Sequence, residues 1–91
     1  MKQVNDIFLD MLPKIDLHGY DAMSTGVAVN DFILENYLLN QTKVVIIHGI
    51  GKGIVKKAVH EQLKKNDYVL SYKIDNFNVG CTVVEIKSKS N

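Results

Sequence analysis

Three side chains able to carry or orient a proton, Asp16, His18 and His48, lie in two short stretches, IDLHGY at 15–20 and VVIIHGIGKG at 44–53. An imidazole titrates near neutrality, so one ring can act as general base and another as general acid, with a carboxylate fixing a tautomer. Gly49, Gly51 and Gly53 follow His48 at alternate positions. Without a Cβ, such a run lets backbone approach an anion closely. Lys52 adds a charge inside the loop, and Lys56 and Lys57 follow on the next element. Together these residues suit a phosphate cradle flanked by two imidazoles and a carboxylate. Taken singly, each histidine reads as an ordinary strand-end residue; their pairing with Asp16 and the glycines carries the functional reading.

The elements that must position them are legible in the pattern. Lys14–Gly19 reads as a short strand with Ile15 and Leu17 on one face, Asp16 and His18 on the other. Asp21 offers an N-cap for a helix to about Leu39, whose inward stripe is Thr25, Ala28/Val29, Phe32/Ile33 and Asn36/Tyr37. Val27, Leu34 and Leu38 fall outside that stripe, a second apolar face that suits a partner or, the preferred reading, cover by an N-terminal arm, residues 1–13, in which Ile7, Phe8, Met11 and Leu12 form one apolar side. Residues 43–48 are too apolar to alternate and predict a central strand. A second helix, about Ile54 to Lys65, is expected to bury Ile54/Val55, Ala58/Val59 and Leu63 and to leave Lys56, Lys57, His60 and Lys64 in solvent. Tyr68–Asp75 alternates, with Tyr68, Leu70, Tyr72 and Ile74 sharing a face, and 82–87 pairs with it as a hairpin.

The order β-α-β-α-β-β predicts an α/β, two-layer sandwich: a four-stranded mixed sheet, first three strands parallel and the last antiparallel, with two main helices on one side. Parallel neighbours bring His18 and His48 to the carboxyl edge, where open α/β sheets place ligands, beside the positive end of the second helix.

Composition narrows the partners. Ninety-one residues, 46% hydrophobic, make one domain, read as an arm (1–13), a domain (14–88) and a tail (89–91). A single cysteine, Cys81, excludes an intrachain disulfide and a cysteine metal cluster; it reads as a small buried apolar residue. The N-terminal stretch, broken by Asp6 and Asp10, is neither signal peptide nor membrane span, so a cytoplasmic protein is expected. Residues 1–40 hold two Lys and six Asp/Glu, net −4; residues 41–91 hold nine Lys and four Asp/Glu, net +5. That asymmetry predicts a basic face for a polyanion. All eleven cations are Lys, which bind phosphates as point charges and lack the fork that reads guanine edges.

A nucleotide cofactor fits poorly. The spacing is G-x-G-x-G, with Ile54 where the dinucleotide fingerprint needs its third glycine, and no Ser or Thr follows Lys52 as the P-loop requires.

IDLHGY and IHGIGKG, about thirty residues apart, together with the helix between them, the basic helix after them and GCTVVEI near the end, resemble the two signatures of the Smr (small MutS-related) domain family across residues 15–87. The resemblance implies a fold similar to the C-terminal domain of bacterial translation initiation factor three. It also implies nucleic-acid binding, often with endonuclease activity: nicking of DNA, particularly branched forms, or cleavage of structured or messenger RNA, including on the ribosome. Carried over by position, the first motif supplies Asp16, His18 and Gly19, and the second supplies His48, Gly49, Gly51 and Gly53. The family's G-G-x-G before the last strand is replaced by Phe77, Asn78, Val79 and Gly80, a bulkier loop. A phosphodiester is then expected across Gly49–Gly53, held by backbone N–H groups, Lys52 and Lys56, with Asp16, His18 and His48 as catalytic groups and Lys57 beside them. RNA brings its own 2′-hydroxyl nucleophile and needs no metal; DNA requires attack by water, for which Mg²⁺ is the expected aid. The alternative is a non-cleaving DNA-, RNA- or ribosome-binding module that uses the same basic cleft.

Overall fold

The computed structural model describes residues 11–89. Its elements run β1 (Lys14–Asp16), α1 (Ala22–Leu38), β2 (Lys43–Ile47), α2 (Ile54–Lys65), β3 (Val69–Ile74) and β4 (Cys81–Ile86). The sheet order is β1-β2-β4-β3, with β1 parallel to β2 and β4 antiparallel to both β2 and β3. The first three strands therefore share a direction and the last opposes them, as the pattern predicts. β4 fills the place between β2 and β3, which makes β3 an edge strand.

The period-2 and period-3.6 apolar patterns converge on one core. Val44 and Ile46 of β2, Val84 and Ile86 of β4, Val29 and Ile33 of α1 and Val59 and Leu63 of α2 are buried together with Leu17. Losing such a residue is costly: Ile46 truncated to Ala forfeits about 2–5 kcal/mol, a large part of the ~5–15 kcal/mol that holds a domain folded. Both helices thus cover one sheet face. On the other face Val45, Val83 and Cys81 are buried in the middle, while Ser71, Lys73 and Glu85 are exposed toward the β3 edge.

Local signals set the boundaries. Asp21 accepts a hydrogen bond from the Ser24 N–H at 2.7 Å and caps α1; beyond its other end Asn40 takes a left-handed φ of 57°, which asparagine tolerates. Between β1 and α1, Leu17 is fully buried and its N–H donates to the Ile47 carbonyl at 2.7 Å. That pin fixes Asp16 and His18, its neighbours on either side, at the strand end.

Three expectations are corrected. Ile54 is 58% exposed, because α2 has only begun there and its inward stripe starts with the next residue, Val55, which packs against the core. In β3 the register shifts between Val69 and Ser71, a bulge that leaves Leu70 65% exposed and turns Val69 to the face shared with Tyr72. His60 is half-buried and hydrogen-bonded. Val27, Leu34 and Leu38 are exposed; the arm expected to cover them lies, except for residues 11–13, outside the described residues. No helix among the described residues is long and apolar enough to cross a membrane.

Candidate nucleic-acid interface

The parallel pairing of β1 with β2 sets Asp16 opposite Ile47, so the chain leaves both strands at one edge. His18 and His48 line a single open cavity of about 620 Å³ there. Gly19, Tyr20 and Asp21 form part of its wall, and Gly49, Gly51, Lys52 and Gly53 another.

The two imidazoles are held in opposite ways. The His18 side chain is 73% exposed, and its Nδ1 lies 2.7 Å from Asp16 Oδ1, which also accepts the His18 backbone N–H at 3.1 Å. The ring hydrogen bond, then the backbone one, hold the Asp16 carboxyl below its ordinary value. A carboxylate only accepts, so Nδ1 carries the hydrogen, and in the neutral ring the lone pair is on Nε2, the nitrogen that Asp16 leaves unengaged.

His48 is 4% exposed and both ring nitrogens are engaged. It follows Ile46 on the helix-facing side of the sheet, where Thr82, the register partner of Ile46, also points. Nδ1 lies 2.9 Å from the Gly49 carbonyl, which can only accept, and Nε2 lies 2.8 Å from Thr82 Oγ1. His60 Nε2, reaching in from α2, lies 2.8 Å from the same hydroxyl. For a neutral His48 ring the hydrogens run one way: His60 Nε2–H donates to Thr82, Thr82 O–H donates to His48 Nε2, and His48 Nδ1–H donates to Gly49. Every polar atom along that path is satisfied. Burial, then the charges of His48 and Lys56, lower the His60 pKa and favour its neutral form.

The loop after His48 is shaped by close backbone approach. The His48 and Gly49 N–H groups both donate to the Gly80 carbonyl, at 2.9 and 3.0 Å. Gly49 has φ 79°, and a Cβ there would meet His18 Cβ at 3.2 Å, so only glycine suits the position. The chain then enters α2 through Gly53, φ 82°, with no side-chain cap and no acidic residue in the first turn. The N–H groups of that turn have no carbonyls ahead of them, and the positive end of the helix faces the cavity. Phe77 and Val79, the bulky replacements in the last hairpin, are 48% and 56% exposed and line neither this cavity nor the next. Gly80, the glycine that stays, is the one in contact with Gly49.

The lysines divide between two clefts. Lys52 lines the first, whereas Lys56 and Lys57 line a second of about 460 Å³, with His60, Lys64 and Tyr72, on the other side of Gly53. Asp16 lines neither and acts on His18 from behind. His60, Thr82 and Tyr72 escaped the sequence reading. Alternation along β4 is the signal that sets Thr82 with Val84 and Ile86, facing the helices. Among the described residues no group of three or more His, Cys, Asp or Glu is placed to hold a metal ion. Mg²⁺ is commonly bound by one or two carboxylates plus substrate phosphates, and the carboxylate that lines this cavity is Asp21, not Asp16.

The sequence profile of the Smr domain matches residues 15–87. This chain belongs to the Smr domain family. It is 38% identical over 76 residues to Endonuclease MutS2 of Clostridium acetobutylicum, a match over 80% of this chain and 10% of that protein. It is 35% identical over 77 residues to Endonuclease MutS2 of Clostridium botulinum, over 81% of this chain and again 10% of the relative. The Smr chain thus spans about a tenth of the length of these relatives. Its fold is that of the Smr domain of Thermus thermophilus MutS2 (TM-score 0.80, 24% identity, covering 84% of this chain and 99% of that one). The same fold is found in YdaL, a stand-alone small MutS-related protein from Escherichia coli (TM-score 0.78, 21% identity, covering 97% and 80%).

Proposed function

We propose that this Smr domain binds the phosphodiester backbone of nucleic acid at the open start of α2 and cleaves it with His18 as the proton-transfer group. One observation carries the reading: an exposed imidazole, oriented by Asp16 at 2.7 Å, lines the same cavity as an uncapped helix start and Lys52. A phosphate seated on the first-turn N–H groups is held by fixed dipoles and by the Lys52 charge. His18 Nε2 takes the proton of the attacking hydroxyl. With RNA that hydroxyl is the neighbouring 2′-OH. The 2′-oxygen bonds to phosphorus, the bond to the 5′-oxygen breaks, and the proton held by His18 returns to the leaving oxygen directly or through water. DNA lacks the internal nucleophile, so a water must attack, and Mg²⁺ bound to the phosphate would supply the extra charge stabilisation. The residue set favours RNA, or a metal-assisted nick. His48, with both nitrogens engaged, is read as the anchor of the Gly49 carbonyl and so of the cradle.

A second reading, a module that grips without cutting, is favoured by that engagement: a single free imidazole is a sparse catalytic set. Both readings predict salt-sensitive affinity, log K falling by about 0.7–0.9 per phosphate neutralised. An RNA hairpin, its deoxy version and a DNA junction, each incubated with and without EDTA, separate them. Cleavage of the RNA hairpin in EDTA that is lost in His18→Ala supports the first. Intact substrates throughout, with binding retained, leave only the second.

A further inference from the structure

Beyond the cavity at the strand ends, a groove runs between α2 and the edge strand β3. Residues 53, 56, 57, 60, 61 and 64 form its helical wall, the i, i+3, i+4 stripe of one α2 face, and Tyr72 of β3 lies opposite. Lys56, Lys57 and Lys64 bring three positive charges against one carboxylate, Glu61. The half-exposed Tyr72 ring packs beside the His60 ring, centroids 5.3 Å apart, so two flat π-faces stand together at the groove wall. Gly53 lines both this groove and the first cavity, which makes the two continuous around the start of α2. The His60 and His48 rings, one on each side, are only 5.8 Å apart.

We propose that this groove holds the unpaired strand flanking the bound phosphate, with Lys56, Lys57 and Lys64 on its phosphates and one base stacked on Tyr72. The inference rests on the function proposed above and adds a substrate class to it: nucleic acid with a single-stranded segment next to the cleavage point. Cations interleaved with an aromatic face suit a single strand, because a base exposes its face only when unstacked. A volume of about 460 Å³ is in the range that takes one small ligand, hence a nucleotide or two. Stacking is indifferent to base identity, in keeping with a chain that has no arginine to read base edges. Glu61 repels phosphate and confines the backbone to the lysine side, where it can itself accept from a base amino group or a 2′-hydroxyl.

The chain contains no tryptophan, so Tyr72→Trp introduces a single indole at the groove. Titrating the full chain of this variant with a short oligothymidylate, a blunt DNA duplex and the same duplex with a single-stranded tail reads the site directly. The expected result is quenching by the oligothymidylate and the tailed duplex and none by the blunt one. Tyr72→Leu, with its fold checked by circular dichroism, should bind the oligothymidylate roughly tenfold more weakly and the blunt duplex unchanged, whereas Tyr72→Phe should keep wild-type affinity. If the labelled oligonucleotide binds by anisotropy but the indole signal stays still, the strand runs elsewhere and this inference fails alone. An acidic peptide that displaces the oligonucleotide with equal affinity would point to a protein partner and overturn it. If neither oligonucleotide nor duplex binds, the proposed function itself fails.

Discussion

The two sides of the cleft are built from the same parts in opposite states. Residues 16–24 and 47–56 each run from a strand end through a histidine and a glycine turn into a helix. On the first side the imidazole is exposed and the helix start is closed, since Asp21 already occupies the Ser24 N–H. On the second side the imidazole is buried with both nitrogens engaged, and the helix start is open, entered through a glycine with no side-chain cap. The difference teaches a division of labour. A carboxylate at a helix start repels an anion, so the phosphate belongs on the second side and the free base on the first. Repeating one local design twice would place two negative charges or two loose histidines in the cleft.

The largest effect should come from removing the free ring. His18→Ala is expected to lower cleavage by about 10²–10⁴-fold while affinity, measured by anisotropy, moves by less than about threefold. An equal fall in both would erase the distinction between the two sides. On the second side the cost should appear in stability. Thr82→Val keeps the side-chain shape but strands the Nε2 atoms of His48 and His60, and should cost about 1–3 kcal/mol in urea unfolding.

Exchanging the helix starts tests the comparison itself. Gly53→Asp gives α2 the carboxylate that α1 has; oligonucleotide affinity should fall by about tenfold, and Tm should fall by a few degrees because the left-handed φ of 82° strains any side chain there. The reciprocal Asp21→Gly should lower Tm by about one or two degrees and, by removing a carboxylate from the cavity wall, tighten oligonucleotide binding slightly. Tighter binding by Gly53→Asp would sink the assignment of the phosphate to α2.

The smallest effect is on pH dependence. Because His60 is held below its ordinary value of 6.5, the unfolded chain binds a proton there that the folded chain refuses. Stability should therefore fall as pH drops just below 6.5 and be flat above, and His60→Gln should remove that fall. Asp16 and Asp21 add a similar loss at lower pH: their carboxyls are held below 3.8, so the stabilisation present above that value disappears as pH falls through their lowered ones.

Much of this cleft was legible before any coordinates. The Asp21 cap, the inward stripe of α1 and the positions of both helices rest on interactions within a few residues, and the structure agrees with them. Where reading failed, the cause lay farther off. Helical spacing assigned His60 to solvent, yet its hydrogen-bond partner is 22 residues away, across a strand whose placement no local pattern encodes. The alternation in β3 was misassigned at Leu70 because a bulge spends one residue without leaving a mark in the apolar periodicity.

By itself the sequence determined which chemistry could be present: two imidazoles, one nearby carboxylate, glycines free to take a positive φ, and lysines in its second half. Those are properties of residue types and of short-range spacing. Only the tertiary structure decided which imidazole is free, because the fate of His48 depends on Thr82, 34 residues on, being brought beside it by the pairing of β2 with β4. It also decided that Lys52 and the pair Lys56 and Lys57 serve different clefts, since Lys52 lies in the loop ahead of α2, at the strand-end cavity, while Lys56 and Lys57 lie on the helix itself, along the groove that faces Tyr72 of β3.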